Sequence, residues 1–324
     1  MVAGFGSVSL EKIDPHVRPI DAWRDGAAVA DLLEMCFKDE GIDDSGQRMI
    51  RMLRNYGPLE SLMLDGAPGF VWVEDGRVTG NVSVQRNPIR RDTWVIGNVA
   101  THPSSRNQGI ASALLDTAMN YALTRGARTL ALQVVEGNAA AIHLYEKHGF
   151  SNNGAVVYYQ RPSVRSQPLW HDLASAGTSR VRRAGWSDSE SVWKAAQHNI
   201  HPALTYAEPF DQHVYRLGLR WTLSNWLNGN CEQWLVAEQD GVFMGAVRTR
   251  ENLELAEHHL ELMLAPQAQE DPGIQLLERA LKVFDTCSSK PLLASQARPH
   301  APSHAALQAM GFKPLRTLLH MTHA

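Results

Sequence analysis

Cysteine is scarce in this chain, and its few cysteines follow no pattern. Cys36, Cys231 and Cys287 are odd in number and far apart among 324 residues. They therefore predict neither a disulfide framework nor a zinc site, and they favour a reducing, cytoplasmic environment. The fourteen histidines occur without cysteines or carboxylates at ligand spacing, so no metal site is predicted.

Charge of one sign and long hydrophobic runs are also lacking. The formal net charge is −3 and no run of Lys or Arg is long, so we expect no nucleic-acid partner. No apolar leader or membrane-length apolar stretch is present, so we expect no membrane partner. The length and the 44% hydrophobic content favour two domains, with ranges 1–162 and 181–324. The residues 163–180 between them contain Pro168, Gly177 and several serines, and they are predicted to be a linker.

A strand, a loop and an amphipathic helix follow one another in the first half. Residues Trp94–Ala100 form an apolar run with strand character, and Pro103 ends it because proline disfavours continuation. From Ile110 onward apolar residues recur on one helix face, and Gly126 is placed to end that helix. The loop between them lies at a helix N-terminus, where N–H groups and the helix dipole favour a phosphate.

The loop itself has the residues that such a site needs. Arg106 would add a positive charge, and Gly109 would let the backbone approach the ligand closely. The predicted phosphate-binding residues are Arg106, Asn107, Gln108, Gly109, Ile110 and Ala111. Taken alone, this short pattern is equally compatible with an ordinary basic helix start.

The following segments strengthen the interpretation. A strand is predicted at Thr129–Val135 and a helix at Ala139–His148 closed by Gly149. A further strand is predicted to begin at Phe150, and Ala155–Gln160 is also strand-like. Asn138 would open that helix, either as its N-cap or as a ligand contact. The alternation of strands and helices predicts a mixed α/β fold.

These segments together resemble the GNAT superfamily of acetyltransferases. The resemblance rests on Arg106-x-x-Gly109-x-Ala111, on Asn138-Ala-Ala and on Leu144-Tyr145-Glu-Lys-His-Gly-Phe150. It implies that the loop binds the pyrophosphate of acetyl-CoA, the cosubstrate, and that Asn138 and the helix with Tyr145 flank the pantetheine and the thioester. The family usually has glycine at the position of Ala111 and an acidic residue at that of Gln133, whose absence removes one charged contact.

The resemblance also implies an architecture. Each of two tandem GNAT-like domains would be a twisted, mostly antiparallel sheet flanked by helices. The strands Trp94–Thr101 and Thr129–Val135 would splay apart and admit the pantetheine, with Val99, Ala100 and Thr101 beside the acyl group. The N–H of Val99 is the expected donor to the developing oxyanion.

Tyr145 is the predicted general acid, because a phenol is protonated at neutral pH and can protonate a leaving sulfur. The alternative is that Tyr145 only packs and forms a hydrogen bond. Glu136, at the strand end, is the first candidate for the general base. Other candidates are Glu34, Asp39, Glu40, His102 and a route through water.

The second half is predicted to be a degenerate copy of the first. The repeated features are an Arg-to-Trp opening (Arg18 to Trp23, Arg182 to Trp186), an Asp-Gly hairpin (Asp75-Gly76, Asp240-Gly241) and a Gly-Phe ending (Gly149-Phe150, Gly311-Phe312). At the phosphate loop, however, the copy has Glu270, Asp271 and Pro272, which would repel a phosphate and remove one N–H donor. Leu307 stands where Tyr145 would be. A register error in this comparison is the alternative.

The predicted function is an N-acetyltransferase whose N-terminal domain transfers acetyl from acetyl-CoA to a primary amine of a small molecule, with a peptide amine as an alternative. A coenzyme-A-binding regulatory module without turnover is the rival hypothesis, and a longer acyl donor stays open. We expect a monomer or a homodimer. The tandem arrangement is similar to that of the mycothiol synthases, but their working copy is the C-terminal one, which argues against that activity here.

Overall fold

The computed structural model describes residues 14–38, 69–163, 179–200, 202–206, 210–217, 230–252, 257–285 and 290–324. They form two compact units. Unit 1 contains the described residues up to Asn153, together with Tyr206 and His320–Ala324. Unit 2 contains the described residues within Gly154–Thr205 and Phe210–Leu319.

The described residues of unit 1 form five strands, three α-helices and the ends of two further strands. In chain order these are β1 (Val17–Pro19), α1 (Ala22–Phe37), β2 (Gly69–Glu74), β3 (Arg77–Arg86), β4 (Thr93–Thr101), α2 (Ile110–Leu123), β5 (Thr129–Val135), α3 (Ala139–Lys147) and the start of β6 (Ser151–Arg161). Strands β1 to β4 pair antiparallel in order, and β5 pairs parallel with β4. The end of β12 (Lys313–His323) lies beside β5.

The predicted elements of unit 1 are confirmed, with small shifts at their ends. Helix α1 begins at Ala22, because Asp21 caps it by accepting from the N–H groups of Trp23 and Arg24. Strand β6 begins at Ser151, one residue after the predicted Phe150, and it includes Ala155–Gln160. The hairpin of β2 and β3 turns at Asp75 and Gly76, both with positive φ.

Helices pack on the two faces of the unit 1 sheet. The α1 residues Val29 and Leu33 are buried in a cluster with Val71 of β2 and Ala100 of β4. Helix α2 lies against β3, where a Cβ atom on Gly80 would be only 2.7 Å from a methyl group of Ile110. A side chain at Gly80 would therefore force α2 away from the sheet.

Unit 2 repeats this plan. Its elements are most of β6 and β12, with β7 (Arg180–Arg183), α4 (Ser189–Asn199), β8 (Asn230–Gln239), β9 (Val242–Asn252), β10 (His258–Leu264), α5 (Glu270–Asp285), β11 (Leu292–Ala297) and α6 (Ala301–Ala309). Strands β7 to β10 pair antiparallel, and β11 pairs parallel with β10. The α/β fold with mostly antiparallel sheet and flanking helices is confirmed.

One strand pairing of unit 2 was not expected from the sequence. Strand β6 follows α3 of unit 1 in the chain, yet its residues Val156–Arg161 pair antiparallel with Leu292–Ala297 of β11. The compact units therefore divide after Asn153, within β6. The ranges 1–162, 163–180 and 181–324 stay a prediction about the sequence repeat.

An arginine–aspartate pair joins β1 to α1 in unit 1, and a second pair joins β7 to the short turn before α4 in unit 2. Arg18 donates to both carboxylate oxygens of Asp25 at 2.6 and 2.8 Å. Arg182 does the same to Asp188 at 2.8 and 2.9 Å. Burial would raise the pKa of Asp25, but the hydrogen bonds from Arg18 and the Asp21 N–H hold it below its usual value. The hydrogen bonds from Arg182 lower the pKa of Asp188 against the smaller effect of burial.

Candidate active site

A β-bulge interrupts β4 near its end. Asn98 has a φ of 53°, and the pairing with β3 shifts register between Asn81 and Ser83. Side chains of β3 fix this conformation: Asn81 donates to the carbonyl of Asn98 at 2.9 Å, and Ser83 accepts from the Asn98 side chain at 2.9 Å. The bulge therefore redirects the strand just before Val99.

Strands β4 and β5 pair only at their beginnings. The parallel ladder joins Thr93–Val95 to Thr129–Ala131. The residues with which the sequence predicts acyl contacts lie beyond this ladder, at the end of β4: Val99, Ala100 and Thr101. Ala100 is buried against α1, whereas Val99 and Thr101 are partly exposed.

The loop from His102 to Gly109 joins β4 to α2. Its first part is a short 3-10 turn, Pro103–Ser105, in which the His102 ring accepts from the Ser104 N–H at 3.3 Å. Its second part contains two left-handed residues, Asn107 with φ 62° and Gly109 with φ 83°. Left-handed residues in a loop turn backbone N–H groups into concavities that bind anions.

The start of α2 presents the features that the sequence predicts for a phosphate site. Arg106, Asn107, Gln108 and Gly109 are all exposed, whereas Ile110 is buried and anchors the helix. Gly109 is the N-cap and provides no side-chain cap, and the first turn contains no acidic residue. The helix dipole and the charge of Arg106 therefore act together at this position.

Helix α3 holds Asn138 and Tyr145. The Asn138 side chain accepts from the N–H of Ala141 at 3.1 Å, so it is the N-cap of the helix. Tyr145 is buried, with 6% of its surface exposed, and its ring packs edge-on against Phe150 with 6.1 Å between centroids. Gly149, with φ 82°, provides the turn that brings Phe150 back against the helix.

The candidate bases lie in different surroundings. Glu136 is exposed in the turn between β5 and α3, and Glu34 is exposed on α1. His102 contacts the hydroxyl of Ser104 at 2.7 Å. Asp39 and Glu40 lie outside the described residues.

The end of the chain is a neighbour of β5 that local sequence reasoning missed. The Nε2 atom of His320 lies 3.0 Å from the Nε2 atom of Gln133. Gln133 is the position at which the resemblance predicts an acid. No local pattern could have found this contact, because 187 residues separate its members.

Unit 2 differs from unit 1 at the phosphate loop. Five residues, 265–269, join β10 to α5, whereas eight residues, 102–109, join β4 to α2. Glu270 and Asp271 form the exposed first turn of α5. Carboxylates at a helix start interact favourably with the helix dipole. Glu270 and Asp271 therefore place negative charge at the position where the sequence of unit 1 predicts a bound anion.

Unit 2 also differs at the equivalent of α3. Leu307 stands 162 residues after Tyr145 and is fully buried in the core. His300 stands 162 residues after Asn138, at the N-cap of α6. Burial, together with the neighbouring His198 and His304, lowers the pKa of His300 to about 4. Its Nδ1 atom lies 2.9 Å from the hydroxyl of Ser303.

Within the parts of the chain that the structure covers, two kinds of feature are missing. No group of three or more His, Cys, Asp or Glu side chains is arranged to hold a metal ion. No helix among them has the length and apolar character needed to span a bilayer.

The architecture is that of two GNAT folds in tandem. A tandem GNAT protein from the clavulanic acid biosynthesis pathway covers 95% of this chain and 97% of its own length, with a TM-score of 0.57 and 16% identity. A GCN5-related N-acetyltransferase from Sphaerobacter thermophilus covers 96% of each chain, with a TM-score of 0.63 and 14% identity. At these identities the likeness concerns the fold.

Sequence comparison adds a match to a protein family within the first half of the chain. Residues 27–150 match the family model described as Acetyltransferase (GNAT) family. The [ribosomal protein bS18]-alanine N-acetyltransferase of Escherichia coli is 42% identical over 81 residues, 24% of this chain and 53% of that protein. The chain spans 49 to 60% of the length of such curated relatives. Residues 27–150 thus match the GNAT acetyltransferase family, and the fold is similar to that of a tandem GNAT protein.

Proposed function

We propose that unit 1 transfers the acetyl group of acetyl-CoA to a primary amine of a small molecule. The observation that supports this most strongly is the exposed, basic loop at the start of α2, beside strands that separate after three residue pairs. Backbone N–H groups of the residues 107 to 111 and the Arg106 guanidinium would hold the pyrophosphate. Acetyl-CoA supplies the activated thioester.

The residues at the end of β4 would orient the acyl group. The bulge at Asn98 changes the direction of the strand, and the N–H of Val99 would donate to the carbonyl oxygen as negative charge develops there. Positioning of this kind contributes on the order of 7–11 kcal/mol in well-oriented reactions. Asn138 would assist by capping α3 and so fixing the start of the helix that holds Tyr145.

Tyr145 would donate its phenolic proton to the departing sulfur. The amine nitrogen forms a bond to the acetyl carbon, the carbon–sulfur bond breaks, and the products are an amide and the free thiol of coenzyme A. The amine must lose a proton in the same process. Glu136 is the proposed acceptor, directly or through water, because it is exposed at the end of β5.

A cationic small-molecule amine is the proposed acceptor. Exposed carboxylates such as Glu34 on α1 would favour positive charge near that helix. The Escherichia coli relative acts, by its name, on an alanine of a ribosomal protein. An alanyl peptide therefore belongs in any acceptor panel.

The test is release of coenzyme A thiol from acetyl-CoA with a panel of small amines and an N-terminal alanyl peptide, with mass measurement of the products. We expect amine-dependent thiol release and a product heavier by one acetyl group. Thiol release equal to that without amine, together with saturable binding of acetyl-CoA, would instead support the regulatory-module hypothesis. A panel with longer acyl-CoA donors would determine the donor preference.

A further inference from the structure

The last five residues of the chain form part of unit 1. His320 and Met321 are buried there, with 2% and 1% of their surfaces exposed. The His320 ring lies against Gln133 of β5, with 3.0 Å between the two Nε2 atoms. This C-terminal segment, His320–Ala324, therefore contacts the strand that immediately precedes α3.

The same segment also contacts the chain that follows α3. The hydroxyl of Ser151 donates to the carbonyl of Thr322 at 3.3 Å. The Asn153 side chain donates to the hydroxyl of Thr322. Because α3 lies between β5 and β6 in the chain, the C-terminal segment holds both of its flanks.

An aromatic contact leads from this segment towards Tyr145. The His323 ring lies 5.7 Å from the Phe150 ring, and the Phe150 ring lies 6.1 Å from that of Tyr145. The fit is close, since a Cβ atom added to Gly149 would be 3.0 Å from Cδ2 of His323. Displacing His323 would thus free one side of the Phe150 ring, which also packs against the Tyr145 ring.

We infer that His323 is a positioning residue for Tyr145, acting through Phe150, so that the end of the chain completes the acetyl-transfer site of unit 1. The inference rests on the proposed function, in which Tyr145 protonates the leaving sulfur. Proton transfer requires heavy atoms within hydrogen-bond reach, and a misplacement of about 1 Å can lower a rate by roughly 100-fold. The contacts of this segment with Gln133, Ser151 and Phe150 involve side chains that flank α3, so we expect the substitution to affect Tyr145 more than coenzyme binding.

The first experiment compares His323→Ala and His323→Phe in the full-length chain. We expect His323→Ala to lower kcat by roughly 10- to 100-fold and to leave KM for acetyl-CoA within about twofold. His323→Phe keeps a flat ring against Phe150 and should recover kcat to within about threefold. Retained kcat in His323→Ala, a raised KM as the main effect, or failure of the Phe variant to recover kcat would overturn the inference.

A matched control comes from unit 2. There the His304 ring contacts a tyrosine directly, with 5.7 Å between its centroid and that of Tyr159. His304→Ala should leave kcat unchanged. An equal loss of kcat in His304→Ala and His323→Ala would indicate general destabilisation and would contradict the inference.

The second experiment is a double-mutant cycle with Tyr145→Phe. If His323 acts through the phenol, adding His323→Ala to Tyr145→Phe should lower kcat no further. If the fold-losses of kcat from the two substitutions multiply in the double variant, this inference is overturned and the proposed role of Tyr145 is unaffected. An unchanged kcat in Tyr145→Phe alone would contradict both the proposed acid and its positioning.

A third readout needs no turnover. In protein with ring-labelled tyrosine, the NMR resonance of Tyr145, identified by its loss in Tyr145→Phe, should shift in His323→Ala and not in His304→Ala. An unshifted Tyr145 resonance would overturn the inference even if no acceptor amine were found.

Discussion

Units 1 and 2 share the residues that build the fold and differ at the residues predicted to perform chemistry. Both have the arginine–aspartate pair and an Asp-Gly hairpin turn with two positive φ angles. Both also have a nine-residue helix that is followed, two residues after its end, by a glycine with φ near 80° and then by phenylalanine. The loop before α2 in unit 1 and the loop before α5 in unit 2 differ in length, charge and glycine content. A scaffold can thus be retained while the groups grafted onto it change.

The replacements in unit 2 are those that satisfy a core or a helix start. Leu307 fills core volume where Tyr145 presents a phenol, and Glu270 and Asp271 complement a helix dipole where Arg106 adds charge. Each replacement is favourable for folding, and under the proposed function each would be unfavourable for coenzyme binding. The comparison therefore assigns the proposed chemistry to unit 1, and four predictions test it.

The largest expected effect is on turnover. Tyr145→Phe should lower kcat by roughly 10- to 10⁴-fold, because it removes the proposed proton donor and keeps the ring. Steady-state thiol release at saturating acetyl-CoA and amine measures it. Tyr159→Phe in unit 2 is the control and should leave kcat unchanged. Normal turnover in Tyr145→Phe would remove this residue from the mechanism.

The second effect is on coenzyme affinity. Arg106→Glu should weaken acetyl-CoA binding by roughly 10- to 100-fold, since it replaces a charge-assisted contact by repulsion. Glu270→Arg is the matched change at the start of α5 in unit 2 and should alter affinity little. Titration calorimetry compares the variants. Comparable losses in both would mean that the two loops are not functionally distinct.

The third effect is on stability and should be similar in the two units. Asp25→Asn and Asp188→Asn should each lower the free energy of unfolding by about 1–3 kcal/mol. The loss should be larger for Asp25, whose side chain is 2% exposed against 11% for Asp188. Urea unfolding at pH 7 provides the measurement, and a negligible loss in either variant would show that its pair is not stabilising.

The pH dependence of the free energy of unfolding follows from the lowered pKa values of the Asp25 and Asp188 carboxyl groups. Their contribution is present above the unfolded-state pKa of about 3.9 and is lost as the pH falls through the lower folded-state values. The wild-type chain should therefore lose stability in this acidic range more steeply than the Asn variants. Parallel curves would contradict the assignment.

The smallest effect concerns His300 in unit 2. Its folded-state pKa of about 4 lies below the ordinary value, so the unfolded chain binds the proton first and stability falls as the pH drops from about 6.5 towards 4. His300→Asn, which introduces the residue of unit 1, should reduce the fall in Tm between pH 7 and pH 5 by roughly 2–4 °C. Thermal scans measure this, and an unchanged fall would assign the proton uptake elsewhere.

Local features of the fold were predictable from sequence. Strand β5 has the predicted bounds, Thr129–Val135, and α2 begins at Ile110 as predicted. Apolar periodicity and terminal glycines are encoded within a few residues, so they can be identified without tertiary information. The candidate phosphate loop could be identified from the sequence for the same reason, because Arg106 and Gly109 are adjacent to a recognisable helix start.

Features that depend on distant contacts were not predictable. The bulge at Asn98 is fixed by Asn81 and Ser83 across the strand pair. The pairing of β6 with β11 and the contact of His320 with Gln133 join residues more than 100 positions apart. Periodicity specifies which face of a strand is buried and leaves its partner undetermined.

Calorimetric titration of the full-length chain with acetyl-CoA tests the central claim most directly, because it counts sites and compares their sensitivity to Arg106→Glu and Glu270→Arg. We predict one site per chain, weakened by Arg106→Glu and unaffected by Glu270→Arg. Two sites per chain, or a single site that responds only to the change in unit 2, would contradict it.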